Sequence, residues 1–309
     1  MRDGFDMIVV LGPTAGGKTS FAANLAYEFD GEVISADSRQ VYRQMDIGTG
    51  KDYGDYEVEG YKIPYHLIDI VEPGYKYNVY EYQKDFLEVY KNVKRRDKIP
   101  ILCGGSGMYI EAVLKGYKLI HVPPDLGLRE KLNKESLPEL TKKLKSYKTD
   151  LHNTTDLISK KRVIRAIEIA KYYSEHRDTD ISYPKIKPLI FGVIFDRSVQ
   201  RKRITLRLKE RFEEGMIDEV RSLLDQGVMS EDLVYYGLEY KFITQYLIGE
   251  LSYDEMFSQL NTAIHQFAKR QVTWFRRMER NGFQIHWIDG HLLMEEKLRK
   301  ARKIISDLS

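Results

Sequence analysis

The segment Gly12-Pro13-Thr14-Ala15-Gly16-Gly17-Lys18-Thr19 leaves few folds open to this chain. It fits G-x4-G-K-[ST], follows the apolar run 7–11 directly and opens a helical pattern over 17–29. Strand, glycine-rich turn and helix in that order make a cradle for phosphate. The glycines let backbone amides converge on the oxygens, and the helix N-terminus adds partial positive charge. Lys18 supplies a full charge beside the terminal phosphates, and the Thr19 hydroxyl is of the kind that ligates Mg²⁺. Gly12, Thr14, Ala15, Gly16, Gly17, Lys18 and Thr19 are the expected phosphate-binding residues, with Thr19 the expected metal ligand.

The rest of the first half alternates apolar runs with helical patterns. Residues 32–36, 66–70 and 99–103 read as strands and 79–96 as a helix, which predicts the α/β class: a P-loop NTPase-like parallel sheet flanked by helices. Between 119 and 183 the strand signal stops and Lys- and Leu-rich helical stretches take over, until 188–196 resumes as an apolar strand. A helical insertion domain over 119–183 is therefore expected, set between core segments 1–118 and 184–309. From residue 199 onward the pattern is mostly helical, with one short apolar stretch at 283–288.

Net charge is only +3, but its distribution is uneven: residues 201–211 carry six basic side chains and one acidic one, and 160–177 and 269–280 are basic too. A solvated helix face is the usual fate of such a run, whereas three of them favour a phosphate-rich partner. The single cysteine, Cys103, lies in an apolar run and reads as a buried thiol in a reducing compartment. The seven histidines show no metal-ligand spacing. The longest apolar runs are strand-sized and no signal peptide opens the chain, so a cytoplasmic protein without membrane contact is expected.

Run 99–103 ends in Gly104-Gly105 rather than in the acidic residue that a motor-type ATPase adds for Mg²⁺. Asp69 and Asp196 do follow apolar runs, where capping a turn or the next helix is the favoured role. Run 32–36 delivers Asp37-Ser38-Arg39-Gln40 to the carboxyl end of a strand, where ligands sit in parallel sheets. Asp37 there suits a general base and Arg39 a phosphate or base contact, with helix capping by Asp37 or Ser38 as the structural alternative.

Several segments, in order, resemble the tRNA dimethylallyltransferase (tRNA isopentenyltransferase) family. They are the loop 12–19, Ser35-Ala36-Asp37-Ser38-Arg39-Gln40-Val41-Tyr42, Asp46-Ile47-Gly48-Thr49, His66-Leu67-Ile68-Asp69-Ile70, Gly104-Gly105-Ser106-Gly107-Met108-Tyr109, Arg162-Val163-Ile164-Arg165-Ala166-Ile167-Glu168 and Lys269-Arg270-Gln271-Val272-Thr273-Trp274-Phe275-Arg276. The resemblance implies transfer of the dimethylallyl group of dimethylallyl diphosphate to the exocyclic N6 amine of the adenosine 3′ of the tRNA anticodon, with Mg²⁺ as cofactor. It implies a helical insertion that grips the anticodon stem-loop, and a chain acting as a monomer is expected. By similarity Asp37 is the base and Ser106, in place of the usual threonine, keeps a hydroxyl for the nucleotide or the diphosphate. Lys18 and a downstream arginine, with Arg276 the candidate, would stabilise the departing diphosphate. The expected tRNA contacts are Asp37, Ser38, Arg39, Gln40, Lys161, Arg162, Arg165, Lys269, Arg270 and Gln271. Phe267 and Phe275 suit the buried side of the last of these helices.

Two departures from the family pattern stand out. Ile264-His265 replaces a Thr-Arg pair, and the usual Pro-Asn-Asp is absent around residues 153–156. Both touch the expected grip on RNA. Three other readings stay open on the residues: a prenyltransferase acting on free adenine nucleotide, a P-loop nucleotide or small-molecule kinase, and a non-catalytic RNA-binding protein.

Overall fold

All five residues of Met7–Leu11 (β1) are buried, the mark of a strand covered on both faces. The computed structural model describes residues 4–117, 119–147, 157, 159–175 and 183–308. The chain divides into two compact units, Met1–Tyr117 with Pro184–Ser309, and Lys118–Tyr183.

In the larger unit β1 is followed by helix α1 (Lys18–Phe29), β2 (Gly31–Ser35), the small hairpin β3 (Glu57–Val58) and β4 (Tyr61–Lys62), and β5 (Tyr65–His66). Helix α2 (Val79–Arg95), β6 (Ile99–Gly104) and α3 (Gly107–Lys115) complete its first segment. Six strands make one sheet in the order β5-β2-β6-β1-β7-β8, every pair parallel, where β7 is Pro188–Ile194 and β8 is Ile285–Asp289. One face is filled from α1 by Phe21, Ala22 and Leu25 and from the C-terminal helix by Leu298, Ala301 and Ile305, against Ile8, Val10, Val33, Ile101 and Phe191. Cys103 belongs to this core, and burial pushes its thiol up to about 12.

The run 66–70 is not a strand as the apolar pattern predicts. Pairing with β2 stops at His66, because Leu67 (φ 61°) and Asp69 (φ 55°) both take the left-handed conformation, which no ladder tolerates. Among the described residues Asp69 caps no turn or helix; its carboxylate accepts from Lys51 and from Tyr53. Asp196 does cap, accepting from the amides of Ser198 and Val199.

The smaller unit consists of α4 (Leu126–Leu132), α5 (Leu137–Tyr147) and α6 (Lys160–Glu175), packed through Leu132, Leu140, Leu144, Val163, Ile164, Ile167 and Ala170. Residues 153–156 lie outside the described residues. After β7 come α7 (Arg197–Glu213), α8 (Met216–Asp225), α9 (Ser230–Tyr235), α10 (Leu238–Leu247), the 28-residue α11 (Tyr253–Arg280) and, beyond β8, α12 (Met294–Ser306). Helix α11 starts on a capping box between Ser252 and Glu255 and buries Met256, Leu260, Ile264, Ala268, Gln271, Phe275 and Met278. That spacing of three and four is one stripe of the helix. Phe267 lies off the stripe and is exposed, contrary to the expectation for it.

Candidate active site

The phosphate loop leaves β1 and re-enters helix at Lys18, with Ala15 (φ 57°) and Gly17 (φ 71°) in the left-handed conformation that turns its amides inward. Its outer side is held by two distant helices. The Gln271 Oε1 atom on α11 accepts the Thr14 amide at 2.9 Å. From α7, Gln200 Nε2 donates to the Thr14 carbonyl and Arg203 Nε to that of Ala15 at 3.0 Å. The Thr14 amide is thus occupied by a side chain, which takes it out of the amides expected to bind phosphate and leaves those from Ala15 to Thr19 as the candidates. Burial lowers the Lys18 pKa, as does the charge of Arg207, while Cys103, Asp37 and Asp52 pull it back up.

The turn after β2 carries Asp37, whose Oδ1 atom accepts the Arg39 amide at 2.9 Å. Ser106, at the mouth of α3, accepts the Ser38 amide at 3.1 Å, and the two hydroxyls lie 3.4 Å apart. Ser106 therefore grips the Asp37 turn. Half-buried Gln40 accepts from Ser35 Oγ at 2.9 Å and donates to the Gly50 carbonyl at 3.0 Å. The Arg39 guanidinium lies 5.5 Å from the centre of the exposed Tyr235 ring.

A third segment, residues 46–51, closes one side. Glu219 on α8 accepts the amides of Asp46 and Ile47 at 2.7 Å each and of Gly48 at 3.0 Å, and Tyr240 donates to it at 2.6 Å. The buried Lys51 ammonium donates to the Tyr42 carbonyl at 2.6 Å and to Asp46 at 2.8 Å. Over the bare backbone of Gly50 (φ 69°) lie the guanidinium groups of Arg207 and Arg211; a Cβ there would meet both. Arg211 is 9% exposed, burial lowers its pKa, and its Nη2 atom has no hydrogen-bond partner among the described residues. Gln200, Arg203, Arg207 and Arg211 recur at three and four residues, so one face of α7 runs past the phosphate loop.

Several expected residues fall elsewhere. Arg276 is exposed and stands ~140° around α11 from Gln271 at 100° per residue, so it does not turn to the loop with it. Lys269 and Arg270 are exposed, whereas Gln271 is 7% exposed and bonded to two backbone groups, which corrects its expected part as an RNA contact. His265 meets Thr205 Oγ1 at 3.2 Å, and burial, then Arg201, keeps its pKa below the usual histidine range. In the smaller unit Lys161 and Arg162 are exposed. Arg165 is instead a brace: it pairs with Glu168 and donates to the Val122 carbonyl at 2.8 Å. Burial alone would raise the Glu168 pKa, but bonds from Arg129, Arg165 and the Asp125 amide outweigh it and hold the carboxyl low.

Sequence reasoning missed Arg203, Arg207, Arg211, Glu219 and Lys51 as parts of this site. The basic run 201–211 was a signal for the arginines, and their spacing of four places them on one face. Glu219 carries no local signal, since the amides it binds lie more than 170 residues away, and Lys51 reads as one charged residue among many, although its partners Tyr42, Asp46 and Asp69 are within 18 residues.

An IPP transferase family model matches residues 40–278. The chain is 60% identical over 303 residues to tRNA dimethylallyltransferase 1 of Parabacteroides distasonis, covering 98% of each, and 59% identical to tRNA dimethylallyltransferase 2 of Phocaeicola vulgatus, covering 97% of this chain and 98% of that one. The crystal structure of the full-length tRNA isopentenylpyrophosphate transferase of Bacillus halodurans superposes with a TM-score of 0.70 at 31% identity, over 98% of this chain and 96% of that one. A eukaryotic dimethylallyltransferase acting on tRNA has the same fold, with a TM-score of 0.75 at 22% identity, over 97% of this chain and 77% of that one.

Proposed function

Because the chain belongs to the IPP transferase family, we propose that it moves the dimethylallyl group of dimethylallyl diphosphate onto the N6 amine of the adenosine 3′ of a tRNA anticodon, releasing diphosphate. The observation that carries this reading is placement: Lys18 follows β1 and Asp37 follows β2 at the same end of the parallel sheet, with β6 between them, and the Asp37 charge reaches Lys18. A cradle for a diphosphate and a base for an amine then lie at one end of the sheet. A kinase also uses a carboxylate as base, so the family match, rather than the carboxylate, favours prenyl transfer over it.

In this mechanism the amides from Ala15 to Thr19 and Lys18 hold the diphosphate. Arg207, whose charge reaches Lys18, and Arg211, beside it over Gly50 with a buried donor unused, are better placed than Arg276 to take up charge as it leaves. Thr19 presents a hard oxygen in the first turn of α1 beside Lys18, which fits Mg²⁺ held mainly by phosphate oxygens and water. When bound, that ion would neutralise charge on the leaving group. The adenine amine is a weak nucleophile, and Asp37 accepts its proton as the carbon–nitrogen bond forms. The target base must leave its stack to reach Asp37. Arg39 and Tyr235 stand at the rim of that turn to meet it.

Incubation with dimethylallyl diphosphate, Mg²⁺ and either unmodified tRNA or AMP, followed by mass spectrometry of the nucleosides, tests the reading. Prenylated adenosine from tRNA alone is the expected result. Prenylated AMP would replace the acceptor, and no product with either would return the question to the kinase and the binding protein.

The smaller unit is proposed to hold the anticodon arm through Lys161 and Arg162. Replacing both by alanine should flatten the slope of log K against log salt for tRNA by ~0.7–0.9 per lost phosphate contact. An unchanged slope in a salt titration would leave these side chains as a solvated face. Arg165→Ala is not an equivalent test, because it removes one of the partners of a buried carboxylate and a brace to the Val122 carbonyl, and so disturbs the unit itself.

A further inference from the structure

Gln271 is a polar member of an otherwise apolar buried stripe of α11, and both ends of its amide are used. Its Oε1 atom accepts the Thr14 amide at 2.9 Å, and its Nε2 atom donates to the Gly105 carbonyl at 3.0 Å. Thr14 belongs to the loop after β1. Gly105 precedes Ser106, which holds the Ser38 amide and with it the turn that carries Asp37. One side chain thus ties the phosphate side of the site to the carboxylate side.

We propose that Gln271 is a positioning residue for transfer: it fixes the diphosphate loop against the Asp37 turn and so sets the gap that the prenyl group crosses. The inference rests on the prenyl-transfer reading above. A primary amide is suited to the place because it offers a donor and an acceptor at one planar end. Gly105 is shaped to receive it, since a Cβ there would lie 2.3 Å from Gln271 Nε2. Two residues on separate elements therefore depend on each other at this point. Each substrate has its own contacts away from the brace, the diphosphate on the amides from Ala15 to Thr19 and the amine on Asp37. Loss of the brace changes how the two substrates face each other more than how tightly either binds. Transfer is sensitive to that placement, for a misplacement of ~1 Å costs roughly a hundredfold in rate.

The test is single-turnover transfer from saturating dimethylallyl diphosphate to unmodified tRNA, with the dissociation constant of each substrate measured separately. Gln271→Leu should slow transfer by roughly 10- to 100-fold while either dissociation constant moves by no more than about threefold. Gln271→Glu keeps an acceptor for Thr14 but has no donor for Gly105, and should be slow as well. Gly105→Ala breaks the same contact from the other side, and the double variant should be little worse than the slower single one, because both remove one interaction. Transfer by Gln271→Leu within about twofold of the wild type, effects that multiply in the double variant, or a loss accounted for entirely by weaker binding would each overturn the inference. A wild type that prenylates no tRNA overturns the transfer reading and this inference with it; an active wild type beside an equally active Gln271→Leu overturns this inference alone.

Discussion

Replacing Asp37 by asparagine is expected to lower the rate of transfer by ~10²–10⁴-fold, the range a positioned general base supplies, with little change in tRNA affinity. Asparagine is the informative choice because its carbonyl oxygen can still accept the Arg39 amide, as Asp37 Oδ1 does at 2.9 Å. The turn that follows β2 therefore keeps its shape, and Ser106 keeps its hold on Ser38. What the variant loses is an oxygen able to take a proton: among the described residues no hydrogen bond reaches the second carboxylate oxygen of Asp37. Lys18 also loses an opposite charge that raises its pKa, so some weakening at the diphosphate end would accompany the loss of the base. Single-turnover kinetics with tRNA in excess separate the two effects, because saturation removes any contribution from binding. A variant whose rate recovers fully at saturating substrate would remove Asp37 from the role of base.

How far this site was legible in the sequence depends on how local each signal is. The phosphate loop and the Asp37 turn are contiguous segments at strand ends, and the alternation of strand and helix patterns places both on one edge of a parallel sheet. The arginines of α7 were visible as charge but not as part of a site, since a basic helix face is usually solvated and nothing local says which face meets the loop. Gln271 sits at three and four residues from Ala268 and Phe275, so periodicity marks it as buried; its partners, Thr14 and Gly105, are far away in sequence, on the turns that follow β1 and β6. Arg165 misled in the opposite direction. As a pattern it is a basic residue beside Arg162, whereas its guanidinium is held by Glu168 from its own helix and by the Val122 carbonyl. The short strand β5 was overread for a backbone reason: apolar residues at 67, 68 and 70 look like strand, but the left-handed turns at Leu67 and Asp69 end it.

Lys18→Met should slow transfer by ~10²–10³-fold, by analogy with the loss of one donor to a developing anion. The methionine fills similar space without the charge, so the backbone cradle is expected to persist. In the ligand-free protein burial lowers the Lys18 pKa, which means that folding works against its charge. The sign of the consequence follows. The unfolded chain binds this proton more tightly than the folded one, so the contribution of Lys18 to stability improves as pH rises from below its depressed pKa toward the ordinary lysine range. Lys18→Met removes that penalty, and the ligand-free variant should melt no lower than the wild type while binding the donor worse. A diphosphate has the opposite effect on the same group, because its negative charge favours the ammonium form. Donor affinity in the wild type should therefore fall as pH rises through the depressed pKa of Lys18, and this fall should be absent in the variant. Calorimetric titration with dimethylallyl diphosphate across pH, run beside melting curves of both ligand-free proteins, measures the two linked quantities together. Equal donor affinity in the two proteins at every pH would sink the assignment of Lys18 to the diphosphate. A variant that melts well below the wild type would instead show that the buried ammonium holds the loop together in the absence of substrate.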